Sequence, residues 1–141
     1  MKNIRLYFSF LPALALLLAA CASPQTSACD TVDGFVAALR AEGIEVEIAE
    51  QFSQEFFSVP AQRLVVNGDD IQVWAYADPA SASTESSQIT GAGYIIGLAM
   101  IDWIAQPHFF QCGKLIVLYL GEDQETLATL QSLLGPQLAA E

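Results

Sequence analysis

Three cysteines, at positions 21, 29 and 112, are the side chains whose chemistry position constrains most. Cys21 directly follows Leu18-Ala19-Ala20, and Ala19 and Ala20 are small enough for a secretory cleavage after Ala20. Lys2 and Arg5 form a basic start, and Leu6–Leu18 is apolar except for Ser9 and Pro12. A cysteine immediately after such a cut is the mark of a lipobox. Its thiol takes a diacylglyceryl group, and the freed amine can take a further acyl chain. Two or three chains, at about 0.8 kcal/mol per buried methylene, give stable attachment where one is marginal. The competing reading is an uncleaved membrane-spanning helix. About fifteen apolar residues are short for that, since a bilayer needs about 20.

The expectation is therefore an exported chain with a signal segment at 1–20 and a lipid on Cys21. Ala22, in place of an inner-membrane retention aspartate, points to the periplasmic face of the outer membrane in a Gram-negative cell. In a single-membrane cell the chain would face outward from the cytoplasmic membrane.

With Cys21 lipidated, Cys29 and Cys112 remain as a pair. Two thiols in an oxidising compartment are usually bridged. The bridge would close a loop of more than 80 residues, worth about 4 kcal/mol in the chain-entropy picture. His108 lies four residues before Cys112, but no third group is in place to orient a nucleophilic pair, and a bridged Cys112 could not attack. No catalytic residue is assigned.

Metal chemistry is equally weak. Asn67, Asp69 and Asp70 offer oxygen ligands, yet they lack the calcium-loop spacing and its distal glutamate, and a tight turn explains the same residues. Glu45, Glu47 and Glu50 read as the wet face of a strand. Lys114 and Asp102 read as an ion pair across a hairpin. Neither metal nor cofactor is expected. Gly91-Ala92-Gly93 follows a helical segment, not a strand, so it is no dinucleotide fingerprint.

The aromatic residues are the remaining candidates. Phe56, Phe57, Trp74, Tyr76, Trp103, Phe109 and Phe110 crowd the strands and their ends, and most should be core. If helices cover one sheet face alone, alternation sends Trp74 and Tyr76 to the other. Trp74, Tyr76, Trp103 and Phe109 would then form an exposed contact surface.

These side chains need elements to position them. Residues 21–29 read as the lipidated cysteine and a short polar tether, and 30–137 as a single domain. Asp30 or Thr31 caps a helix whose apolar face is Val32, Phe35, Val36 and Leu39, with Gly43 as its stop. Ile44–Ile48 alternates as a half-buried strand, and Phe52–Pro60 suggests a strand start or bend. Gln62–Val66 and Ile71–Ala77 flank the hairpin signal Asn67-Gly68. Asp78-Pro79 starts a short, serine-rich helix over 80–88. Strands are expected at Leu98–Ala105 and Lys114–Leu120. A last helix carries Leu127, Leu130, Leu133 and Leu134 and ends at Gly135-Pro136. VWAYADPASAS and IVLYLGEDQET each run from strand into capped helix, a weak internal repeat.

The fold class expected is α+β: an antiparallel sheet of about five strands with helices packed on one face, in the order α-β-(ββα)-(ββα). About 120 residues after the leader can bury a real core. All 16 acidic residues but only three of the five bases follow Cys21, so that part of the chain carries −13. Such a charge repels nucleic acid and anionic headgroups. The partners expected are the membrane, through the lipid, and a protein.

With these segments placed, the domain resembles a family of small bacterial lipoproteins of unassigned activity. The likeness rests on FFSVPAQRLVVNGDDIQVWAYAD, WIAQPHFFQCGKLIVLYLG and the closing LLGPQ. It covers most of 35–136. In such proteins the position of Cys112 more often looks basic, so cysteines at both 29 and 112 would be a local elaboration that suits a disulfide. The resemblance implies a lipoprotein with this fold and transfers no catalytic residue. Two functions follow: a tethered, non-enzymatic binding module, or a structural envelope lipoprotein without a ligand. An enzyme ranks behind both.

Overall fold

All six side chains of the apolar run Leu115–Leu120 are buried. In a strand, where successive side chains alternate between faces, that requires cover on both sides of the sheet. The structure, a computed structural model that describes residues 28–138, provides it. Ala20 and Cys21, with the rest of the leader, lie outside the described residues.

In chain order the elements are α1 (Val32–Ala41), β1 (Val46–Phe52), β2 (Ala61–Val66), β3 (Asp69–Ala75), α2 (Pro79–Ser86), β4 (Ile89–Thr90), a 3₁₀ turn (Gly91–Gly93), β5 (Ile95–Ile96), β6 (Ala99–Met100), β7 (Pro107–Cys112), β8 (Leu115–Leu120) and α3 (Gln124–Leu134). The main sheet is antiparallel, ordered β1-β2-β3-β8-β7, and β4-β5-β6 form a small second sheet. The expected α+β class and five-stranded antiparallel sheet are observed.

Local chemistry sets the boundaries. Thr31 accepts the Gly34 N–H at 3.0 Å to start α1. Asp78 and Asp123 do the same for α2 and α3, accepting from Ser81 at 2.8 Å and Thr126 at 2.7 Å. The repeat seen in the sequence is thus a real likeness of strand, cap and helix. Between β2 and β3, Asn67 and Gly68 both have positive φ, at 52° and 90°, and Val66 pairs with Asp69. This is the two-residue hairpin that Asn-Gly favours.

Two cores sit on the two sheet faces. On the first, Phe35, Val36 and Leu39 of α1 and Leu127, Leu130 and Leu134 of α3 cover Leu64, Ile71, Val73, Val117 and Tyr119. On the second, Trp74, Tyr76, Ile116 and Leu118 lie under Phe57, Ala82 of α2, Ile89 and Ile96. The terminal helices therefore share one face, while α2 and the loops before and after it close the other.

Three local expectations are corrected. Leu98–Ala105 is not the partner of β8. The two-residue turn Gly113-Lys114 pairs Cys112 with Leu115, so the six residues before Gly113 become β7. Pro107, which has no N–H to donate, is tolerated as the first residue of this edge strand. Lys114 consequently does not face Asp102. Its backbone N–H bonds the Cys29 carbonyl at 2.8 Å and its carbonyl accepts from Tyr76 at 2.9 Å. Finally, Ala28 and Cys29, assigned to the tether, are buried. The docked domain begins earlier than its first helix.

Candidate functional site

Between α2 and β7 the chain leaves the main sheet, and this excursion combines a fixed base with an apolar tip. Its base is held by backbone bonds. Gly97 N–H donates to Gln88 O at 2.9 Å, and Ile101 N–H donates to Tyr94 O at 2.9 Å. The Trp103 indole N–H donates to Gly93 O at 2.8 Å. Gly93 lies so close to the Phe109 ring that a Cβ there would approach it to 2.9 Å, and its φ of +83° also disfavours a side chain. Ile89 and Ile96 point into the second core.

The exposed side chains along the excursion are different. Leu98, Met100 and Ile104 are 106%, 84% and 86% exposed, and Tyr94 is 40% exposed. Single exposed apolar residues are ordinary. Here four large ones fall on one short segment, beside a half-buried Trp103. Asp102 is the only Asp, Glu, Lys or Arg between Glu85 and Lys114. Beside the tip, Gln54, Phe56, Gln88 and Ile96 line an open groove with Leu98.

The four aromatic residues expected to form the contact surface mostly do not. Trp74, Tyr76 and Phe109 occupy the predicted face, but all three are buried. The loop 53–60 brings Phe57 edge-on to Trp74, ring centroids 4.9 Å apart, and Phe56 to within 6.3 Å. Trp103 closes over Phe109 at 6.0 Å. The alternation was right, and the cover came from α2 and from loops, which carry no periodic signal.

A polar clamp secures that cover. The Tyr76 hydroxyl donates to Glu85 at 2.7 Å and the Ser58 N–H donates to the same oxygen at 3.0 Å. Burial pushes the Glu85 carboxyl up, but these two bonds outweigh it and hold it below the ordinary carboxylate value. Burial and the Glu85 bond together push the Tyr76 phenol well above its ordinary value, so it stays a donor.

The other candidates are explained by partners within the fold. Asp70 receives Arg63 Nη2 at 2.8 Å, and Glu50 receives Arg63 Nη1 at 3.2 Å. Asp69 accepts from Tyr119 at 2.6 Å, whose phenol is pushed up to about 12, first by burial and then by that bond. Among the described residues no group of three His, Cys, Asp or Glu side chains is arranged to hold a metal. His108 stacks on Tyr119, with Nδ1 3.0 Å from Gln137 Oε1. Cys112 instead meets Cys29 at disulfide distance, with Cα atoms 5.1 Å apart and a sequence separation of 83. That Cα separation lies within the range a disulfide needs.

No described helix is long and apolar enough to cross a membrane. Comparison with protein families, curated proteins and solved structures returns no match to this chain.

Proposed function

We propose that this chain is a lipid-anchored, extracytoplasmic lipoprotein whose domain is a non-catalytic binding module, held by acyl chains on Cys21 and making its contacts through the 94–104 excursion. The exposure of Leu98, Met100 and Ile104 on a segment nearly free of charge carries the binding part of this reading. The leader, the small residues before Cys21 and the resemblance to bacterial lipoproteins support the anchor. Export would place Cys29 and Cys112 where their proximity becomes a covalent bridge. The bridge would pin the start of the domain to the β7–β8 turn, next to the tether.

Acyl labelling and fractionation of the full chain test the anchor. Wild type should incorporate labelled palmitate and leave membranes with detergent but not with salt, and Cys21→Ser should take up no label. A photo-crosslinking residue at Met100 in whole cells tests the contact, with one at Glu47, on the exposed side of β1, as control. Adducts, to protein or to lipid, at position 100 and none at 47 are expected.

Burial of Trp74, Tyr76 and Phe109 favours a second reading, a structural envelope lipoprotein that holds no ligand. Its signature would be an absence of adducts at both positions.

A further inference from the structure

We infer that the partner of the 94–104 excursion is the lipid bilayer itself, and that its exposed side chains Leu98, Met100 and Ile104 seat shallowly in the interface. This rests on the anchored reading above. Three observations favour a lipid surface over a protein.

The first is charge. The chain beyond Cys21 is strongly acidic, and an anionic bilayer repels it. The excursion is the long stretch that escapes this repulsion, since Asp102 alone is charged between Glu85 and Lys114. Electrostatics thus turns the acidic surface away and leaves this lip as the face able to approach.

The second is composition. The exposed aliphatics sit beside Tyr94 and Trp103, the amphipathic aromatic types that favour the boundary between headgroups and acyl chains. The tip is too short to span a bilayer and suits shallow seating.

The third is reach. Six residues separate Cys21 from buried Ala28, which extended span about 20 Å. The lipid therefore keeps the lip at high effective concentration near the surface, so a weak insertion suffices. The acyl chains hold the molecule, and the lip sets its orientation.

The two tryptophans make this measurable. Trp74 is fully buried and Trp103 is half-buried at the base of the lip. The full lipoprotein is reconstituted into phosphatidylethanolamine–phosphatidylglycerol vesicles in which part of the lipid carries brominated acyl chains. Bromine should quench Trp103, whose emission should shift to the blue as its surroundings become less polar, and Trp103→Phe should leave an unquenched Trp74 signal. The variant Leu98→Ser/Met100→Ser/Ile104→Ser should float with the vesicles as wild type does, yet lose the quenching. These positions are exposed, so folding is preserved, which an unchanged near-UV spectrum checks.

Wild type that floats without quenching overturns the inference while leaving the anchor intact. So does quenching that the triple substitution does not reduce, or protection of the lip only when envelope proteins are added, which would assign it to a protein interface. If the chain takes no lipid, the anchored reading fails. The chain from residue 22, with an N-terminal histidine tag on nickel-chelating vesicles, then reads the same quenching and decides the docking separately.

Discussion

The Trp103 indole N–H donates to the Gly93 carbonyl at 2.8 Å, joining the two ends of the excursion that carries the exposed tip. Trp103 is thereby a clasp. Its ring caps Phe109 while its one polar atom closes the loop. Replacing it with phenylalanine keeps the apolar body and removes the bond. The expected loss is about 1 kcal/mol. Hydrogen exchange should quicken over 94–101 while β3 and β8 stay protected.

Trp74 behaves as core, although the sequence pattern had offered it as surface. Trp74→Ala should cost about 3–5 kcal/mol through lost burial and the cavity it leaves. An exposed contact residue would change stability by no more than about 0.5 kcal/mol. Denaturant unfolding separates the two.

The Glu85 clamp sets a pH dependence. Its carboxyl is held below the ordinary value of 4.5, so the folded state favours the ionised form. Its contribution is fully present above the unfolded pKa and is lost as pH falls through the folded one. Thermal unfolding of wild type and Glu85→Gln across the acidic range should show their difference shrinking toward low pH. A difference that stays constant would remove the clamp from the explanation of acid stability.

The Cys29–Cys112 pair makes a chemical prediction. Non-reduced protein from the envelope should contain no alkylatable thiol at either position. Cys29→Ser/Cys112→Ser should lower stability by about 4 kcal/mol, the chain-entropy value for a loop of this size. The paired substitution avoids leaving one free thiol, and an unchanged spectrum at low temperature would show that the fold itself survives.

Much of the fold was legible because its signals are local. Thr31, Asp78 and Asp123 cap helices as side chains of their type do, and Asn67-Gly68 makes its hairpin. The pairing of Cys29 with Cys112 followed from cysteine count and the compartment expected of an exported chain. The closed second face was harder to see. One sign of it was present, since LIVLYL is unbroken where a one-sided strand would alternate. The cover itself comes from Phe56 and Phe57 on an irregular loop and Ile96 on a two-residue strand, whose placement depends on tertiary contact.

The lip was missed for a related reason. Its apolar run, Leu98–Ala105, resembled a strand of the main sheet. The register of the Gly113-Lys114 turn gave that strand to 107–112 instead and left Leu98, Met100 and Ile104 outside.

The claim on which the functional reading depends is the anchor. Its most direct test is intact-mass and N-terminal peptide analysis of the full chain purified from its own membranes. The reading predicts a chain beginning at Cys21, with diacylglyceryl on its thiol. A chain that still begins at Met1, or that starts beyond Cys21 and carries no acyl group, would contradict it.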